Sequence, residues 1–182
     1  MMCNGETRKR NLIVLPPALV DQWCGAIKKF CPELASHIHV WRGSKGTNTD
    51  AFLKVNSAEK IVVVTTYGMI ANRNIANYCS DLWIMEWDRI IYDEAHHLRN
   101  HKTNTFLGAK QLHSYQTPDT SCWYMTGTPI NNKLTDVMNL FRLSNVKCDS
   151  FEDLKPLLLS KVLRRTKQSV GIAMPDCNIH CI

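Results

Sequence analysis

The chain has 182 residues, 45% hydrophobic and 21% charged, enough to fill one core and unlike a disordered tail, a collagen-like repeat or a small disulfide-stapled scaffold. Apolar runs such as Leu12 to Leu15 and Ile61 to Val64 fall far short of the roughly 20 residues that cross a bilayer, and the start has no signal-peptide apolar region, so a soluble intracellular chain is expected. Net charge is +6, divided as +4 over residues 1–60, −1 over 61–120 and +3 over 121–182; charge alone leaves solubility and a polyanion surface both open.

After a polar, basic start ending in Arg8-Lys9-Arg10, Asn11 to Leu15 reads as a buried strand stopped by Pro16-Pro17. Val20, Trp23, Ile27 and Phe30 recur every three or four residues, predicting an amphipathic helix ended by Pro32, with Trp23 and Phe30 in the core. His37 to Trp41 is strand-like and a Gly-Ser-Lys-Gly loop follows it. Ile61 to Thr66 is the clearest buried strand, and a helix starts near Tyr67. Trp87 to Tyr92 is a further strand that runs into Asp93-Glu94-Ala95-His96-His97, and Thr105 to His113 is helical in composition. Ser121 to Met125 forms a last strand, Thr126 to Pro129 a turn, and Leu134, Val137, Met138 and Phe141 the next helical stripe. Phe151 to Leu163 is leucine-rich and helical, and it leaves the domain rather than joining its sheet. Strands alternating with helices, with no hairpin signals, predict crossover connections and an α/β fold with a mostly parallel sheet.

Eight cysteines without a Cys-x-x-Cys pair read as reduced thiols that pack as small hydrophobes. The nearest approach to a metal signature is Cys177, His180 and Cys181, with His37 or His39 as further donors, a weak pattern for zinc.

In parallel α/β sheets ligands bind beyond the carboxyl ends of the strands, where loops and helix N-termini converge. Both polar clusters occupy that position. Asp93 and Glu94 follow a strand directly and suit two tasks in nucleotide hydrolysis, Asp93 holding Mg²⁺ and Glu94 orienting or deprotonating the attacking water. The same pair also suits a helix N-terminus, where the dipole favours acids.

Asp93-Glu-Ala-His96 together with Thr126-Gly-Thr-Pro129 resembles motifs II and III of the superfamily-two helicase-type ATPases. Leu12 to Trp23 resembles motif Ia in its Swi/Snf form, and Val63-Val-Thr-Thr-Tyr67 resembles motif Ib. Trp87 to His96 with Leu98-Arg-Asn100 is similar to the extended motif II, Thr126 to Leu134 to the extended motif III, and Leu163-Arg-Arg-Thr-Lys167 to the basic element between the two motor lobes. The resemblance runs in the family's order from Leu12 to about Lys167.

It implies a RecA-like fold of the P-loop NTPase type and an ATP-hydrolysing, DNA-dependent motor using ATP and Mg²⁺. Asp93 would contact the magnesium and Glu94 would position the water. His96 and the turn Thr126, Gly127, Thr128 would couple the nucleotide site to DNA. The segments Pro16, Pro17, Ala18 and Thr65, Thr66, Tyr67 would contact one DNA strand's phosphates through such hydroxyls and backbone amides as they carry, without base reading. Arg164 and Arg165 would touch DNA or the opposite lobe. The implied partner is DNA, of duplex form, and the implied location is the nucleus or another DNA-containing compartment.

Two departures matter. The family's motif I, a loop ending in Gly-Lys-Thr or Gly-Lys-Ser, precedes motif Ia, and none of the 11 residues there resembles it; nor does anything after Lys167 resemble the second lobe with its arginine finger. The sheet is therefore expected to lack the motif I strand, leaving Ser121 to Met125 as an unpaired edge, and the chain alone is expected to hydrolyse ATP poorly. The expected organisation is a basic segment at 1–10, a partial first RecA-like lobe at 11–147 and a helical, basic inter-lobe segment at 148–182. A non-catalytic, helicase-derived module that binds DNA or protein is the alternative.

Overall fold

A computed structural model describes residues 10–42, 60–73, 80–128 and 133–165. The chain divides into two compact units, Met1–Lys147 and Cys148–Ile182.

The first unit is built on five parallel strands: β1 (Arg10–Leu15), β2 (Ile38–Val40), β3 (Ile61–Thr66), β4 (Arg89–Asp93) and β5 (Ser121–Met125), ordered β2-β3-β1-β4-β5. Around them lie α1 (Val20–Phe30), α2 (Tyr67–Ile70), α3 (Asp81–Ile84), α4 (Asn104–Ser114) and α5 (Thr135–Leu143). β1 is central because Leu12, Ile13, Val14 and Leu15 are apolar on both faces and all wholly buried, the composition a doubly covered parallel strand needs. Alternate residues divide between two cores. Leu12, Val14, Val63, Ile90 and Tyr92 pack with Trp83, Trp87, Phe106 and Leu112 on one face. Ile13, Leu15, Val62, Val64 and Ile91 pack with Val20, Ile27 and Leu34 on the other.

The strand register lines up the carboxyl ends. Leu15 pairs with Thr66, Val14 with Tyr92, and Asp93 with Met125, so the segments that follow β1, β3, β4 and β5 all emerge along one edge of the sheet. As expected, β5 is an edge of the five-stranded order, and Trp123 in its middle is 41% exposed.

α1 spans the residues expected of it, but only Val20 and Ile27 are buried. Phe30 is 73% exposed, which corrects its placement in the core. At 100° per residue it sits about 80° from Val20 and about 60° from Ile27, in the last turn of the helix, where it misses the sheet. The helix near Tyr67 is a single turn. α4 is capped by Thr103, whose hydroxyl accepts from the Phe106 amide at 3.2 Å.

The second unit contains α6 (Phe151–Lys161), opened by a capping box in which Ser150 and Asp153 satisfy each other's backbone amides. It continues through Pro156 and ends at Lys161, short of the expected Leu163. No helix among the described residues is long and apolar enough to cross a membrane.

Candidate functional site

The site lies where β4 ends. Tyr92, the last wholly buried residue of that strand, is stacked with Tyr124 (ring centroids 5.2 Å apart) and His113 (5.8 Å), and its hydroxyl lies 3.0 Å from His113 Nε2. Burial holds the Tyr92 and Tyr124 phenols neutral, pushes the Cys122 thiol up to about 12 and pushes His113 down to about 4. This uncharged layer anchors the strand end from which Asp93 emerges.

Asp93 is partly exposed and held by three donors. Its Oδ2 accepts from Trp23 Nε1 at 2.6 Å, its Oδ1 from the Glu94 amide at 3.0 Å, and its carbonyl from the Tyr67 hydroxyl at 2.7 Å. Glu94 has φ 52° and ψ 49°, the left-handed region that non-glycine residues adopt rarely and chiefly at functional or turn positions. That conformation ends the strand and opens the short helix Ala95–Leu98.

Glu94 Oε2 lies 3.1 Å from His96 Nδ1, with 41% and 29% of the respective side chains exposed. The same nitrogen is 3.4 Å from Thr126 Oγ1, and the Thr128 amide donates to Thr126 Oγ1 at 3.1 Å. Glu94 is therefore linked through one imidazole to the turn after β5. At this exposure the contact contributes little to stability; its consequence is orientation. His97 stacks on His96 and leans on Tyr67, and partial burial and the neighbouring His96 lower its pKa.

The other sequence-derived residues divide by exposure. Pro17 and Ala18 are exposed and Pro16 half-buried directly after β1; Thr66 is half-buried after β3. Thr65 is wholly buried and its hydroxyl donates to the Trp41 carbonyl at 3.0 Å. Tyr67 is 7% exposed, its hydroxyl committed to Asp93, and burial with the nearby Asp93 and Glu94 charges raises its pKa. Gly127 and Thr128 are exposed. Arg164 and Arg165 are exposed and belong to the second unit. Pro129, Lys167 and the Cys177, His180, Cys181 group lie outside the described residues.

Sequence reasoning assigned Trp23 to the core and missed its contact with Asp93. The one available signal was chemical: an indole N–H is a donor without acceptor capacity and seeks a partner when half-buried.

The carboxylates fit Mg²⁺. That ion takes hard oxygen donors and is bound by one or two carboxylates together with phosphate oxygens and water. Each Asp93 oxygen accepts one hydrogen bond and keeps a lone pair. No group of three His, Cys, Asp or Glu side chains able to hold a metal occurs among the described residues.

The model of the SNF2-related domain matches residues 2–156. The chain is 31% identical over 139 residues to the DNA repair protein RAD5 of Kluyveromyces lactis, covering 76% of this chain and 12% of that protein. It is 31% identical over 150 residues to the transcription termination factor 2 of Drosophila melanogaster, covering 82% and 13%; the chain thus spans about an eighth of the length of these relatives. In three dimensions it shares the fold of the Sulfolobus solfataricus SWI2/SNF2 ATPase core solved in complex with dsDNA, with a TM-score of 0.67, 22% identity, and coverage of 92% of this chain and 36% of that one. With its RecA-like parallel sheet and a domain match over most of its length, the chain belongs to the SNF2-related domain family.

Proposed function

We propose that this chain carries the metal-holding and water-activating part of the first motor lobe of a Swi/Snf-type DNA-dependent ATPase, in which ATP hydrolysis drives translocation on duplex DNA. The observation that carries this reading is the link from Glu94 through His96 to Thr126, at 3.1 and 3.4 Å. It ties the acid best placed to act on water to the turn that follows the neighbouring strand, on the same edge of the sheet from which the segments after β1 and β3 emerge.

When bound, ATP would supply the γ-phosphoryl group and magnesium would neutralise its charge. Asp93 holds the metal, directly or through water. Glu94, with Oε2 against His96, orients the attacking water and takes its proton through Oε1. His96 and the Thr126, Gly127, Thr128 turn sense the state of that acid. Pro16, Pro17 and Ala18 with Thr66 meet DNA phosphates; Tyr67, whose hydroxyl is used internally, contributes backbone only, and Thr65, wholly buried in the ladder with β1, supports the segment from inside rather than touching DNA itself. Arg164 and Arg165 add exposed cations for phosphate or for the second lobe. DNA as partner, and a nuclear or other DNA-containing location, are supported by relatives named for DNA repair and transcription termination.

No Gly-Lys-Thr or Gly-Lys-Ser loop occurs in the 182 residues. In this reading the chain is a partial lobe, 11–147 with a following inter-lobe segment, and the phosphate cradle and arginine finger come from elsewhere in a longer motor. The test compares ATPase activity with duplex DNA for this chain and for a version extended to include a phosphate loop and second lobe, each with and without Glu94→Gln. Turnover confined to the extended protein and abolished by Glu94→Gln is expected. Ordinary motor rates from the 182 residues alone would refute partial-lobe status. An extended protein indifferent to Glu94→Gln would refute the assignment of Glu94, and one that binds DNA but never hydrolyses ATP would make the module non-catalytic.

A further inference from the structure

Asp93 is the meeting point of three separate chain segments. Trp23 reaches it from α1, the helix entered from Pro16 to Ala18, and the two residues are 70 positions apart in sequence. Tyr67 reaches it from the junction of β3 and α2, directly after Thr66. The third donor is the adjacent Glu94 amide. The Trp23 Nε1 donor lies 2.6 Å from Asp93 Oδ2, within direct hydrogen-bond reach. The indole has no other polar atom to satisfy, so its hydrogen bond and its packing against the Val20, Ile27 core select the same orientation. On the other side, the Tyr67 ring is fixed by stacking with Tyr92 and by contact with His97. Its hydroxyl therefore approaches the Asp93 carbonyl from a rigid base. Neither contact is needed to build the sheet, whose ladder from Arg89 to Asp93 is complete without them.

We propose that Trp23 and Tyr67 are positioning residues for Asp93, fixing its side chain and its backbone respectively and thereby tying the segments after β1 and β3 to the metal-holding carboxylate. The proposal rests on the functional reading above for the role of Asp93, whereas the contacts themselves do not. Loss of either donor leaves Asp93 free to rotate away from the orientation its task requires, while the ring that fills the site remains in Trp23→Phe and Tyr67→Phe.

The test has two arms. In the 182-residue chain labelled with ¹⁵N at tryptophan, the Trp23 indole N–H resonance, assigned by its loss in Trp23→Phe, is followed by NMR. Asp93→Asn is expected to move it and to speed its exchange with solvent; a resonance indifferent to Asp93→Asn overturns the proposal whatever the enzyme does. In the extended ATPase, Trp23→Phe and Tyr67→Phe are each expected to lower kcat about tenfold, the loss typical of one hydrogen bond to a charged or tightly held group. KM for ATP and half-saturation by DNA should stay within about twofold, with unfolding midpoints close to that of the unsubstituted protein. Unchanged kcat in both variants, while Glu94→Gln abolishes turnover, overturns the positioning roles and leaves the functional reading standing. Turnover that survives Glu94→Gln removes that reading instead. Should Trp23→Phe fold poorly, Tyr67→Phe decides the second arm.

Discussion

Gly108 is the position where the packing beneath the site admits least change. It lies in α4, and a Cβ placed there would stand 1.8 Å from the Ile70 carbonyl oxygen, 2.7 Å from its carbon and 2.8 Å from the Ala71 Cα. All three are backbone atoms, so no side chain can turn aside. To restore an ordinary contact of about 3.4 Å, α4 and the end of α2 must separate by roughly 1.5 Å in a close-packed interior. Ile70 is wholly buried, and its carbonyl already accepts from Trp83 Nε1 at 3.0 Å, so displacement endangers a buried hydrogen bond contributing about 1 kcal/mol. Overpacking of this kind costs about 1–3 kcal/mol, against a gain near 1 kcal/mol from replacing glycine in a helix. Gly108→Ala is therefore expected to destabilise the chain by about 2 kcal/mol net. Urea unfolding followed by tryptophan fluorescence measures it as a lowered midpoint at constant slope. An unchanged or raised midpoint would refute the claim that the α2–α4 contact is a rigid backbone seat.

Gly25 has the opposite environment: it sits on the exposed side of α1 and an added Cβ meets nothing within 4 Å, so Gly25→Ala should raise stability by about 1 kcal/mol in the same urea assay. Burial pushes the pKa of His113 down to about 4, below the usual 6.5 or so of a free histidine. The unfolded chain thus takes up a proton that the folded one refuses, and stability present above pH 6.5 is lost as pH falls towards 4, by on the order of 3 kcal/mol. Unfolding midpoints measured across that window should fall more steeply for the unsubstituted chain than for His113→Gln; parallel slopes would refute the assignment.

How far the sequence announces this fold depends on whether a segment is long enough to show a period. Leu12 to Leu15 and Ile61 to Val64 are continuous apolar runs, which parallel strands covered on both faces require, and both are strands. α1 and α5 span two or more turns and show their stripe. α2 and α3 have four residues each, barely one turn, and no period is definable over that length. They are held by tertiary contacts instead: Trp83 Nε1 donates to the Ile70 carbonyl and Trp87 Nε1 to the Leu82 carbonyl. Phe30 shows the limit of periodicity even in a good helix, because membership of a stripe says nothing about where the opposing sheet ends.

For the site, motif resemblance and geometry supply different things. Asp93, Glu94, His96 and Thr126 were legible as residue types in order, and the register of β4 against β5 brings the turn after β5 to the acids after β4. What resemblance does not convey is direction. Thr65, Thr66 and Tyr67 form one tripeptide in sequence, yet Thr65 and Tyr67 are buried and Thr66 is not, since successive strand residues point to opposite faces and the strand ends there. The hydroxyls of Thr65 and Tyr67 serve the interior, one on Trp41 and one on Asp93. A segment that resembles motif Ib thus has an interior task that only the fold reveals. Thr66 lies covalently between two anchored residues, one bonded to the Trp41 carbonyl and one to the carbonyl of Asp93. Tyr67, Tyr92 and Tyr124 stack in sequence beneath the strand ends, so the ring whose hydroxyl meets the Asp93 carbonyl is packed in the same layer that anchors the end of β4.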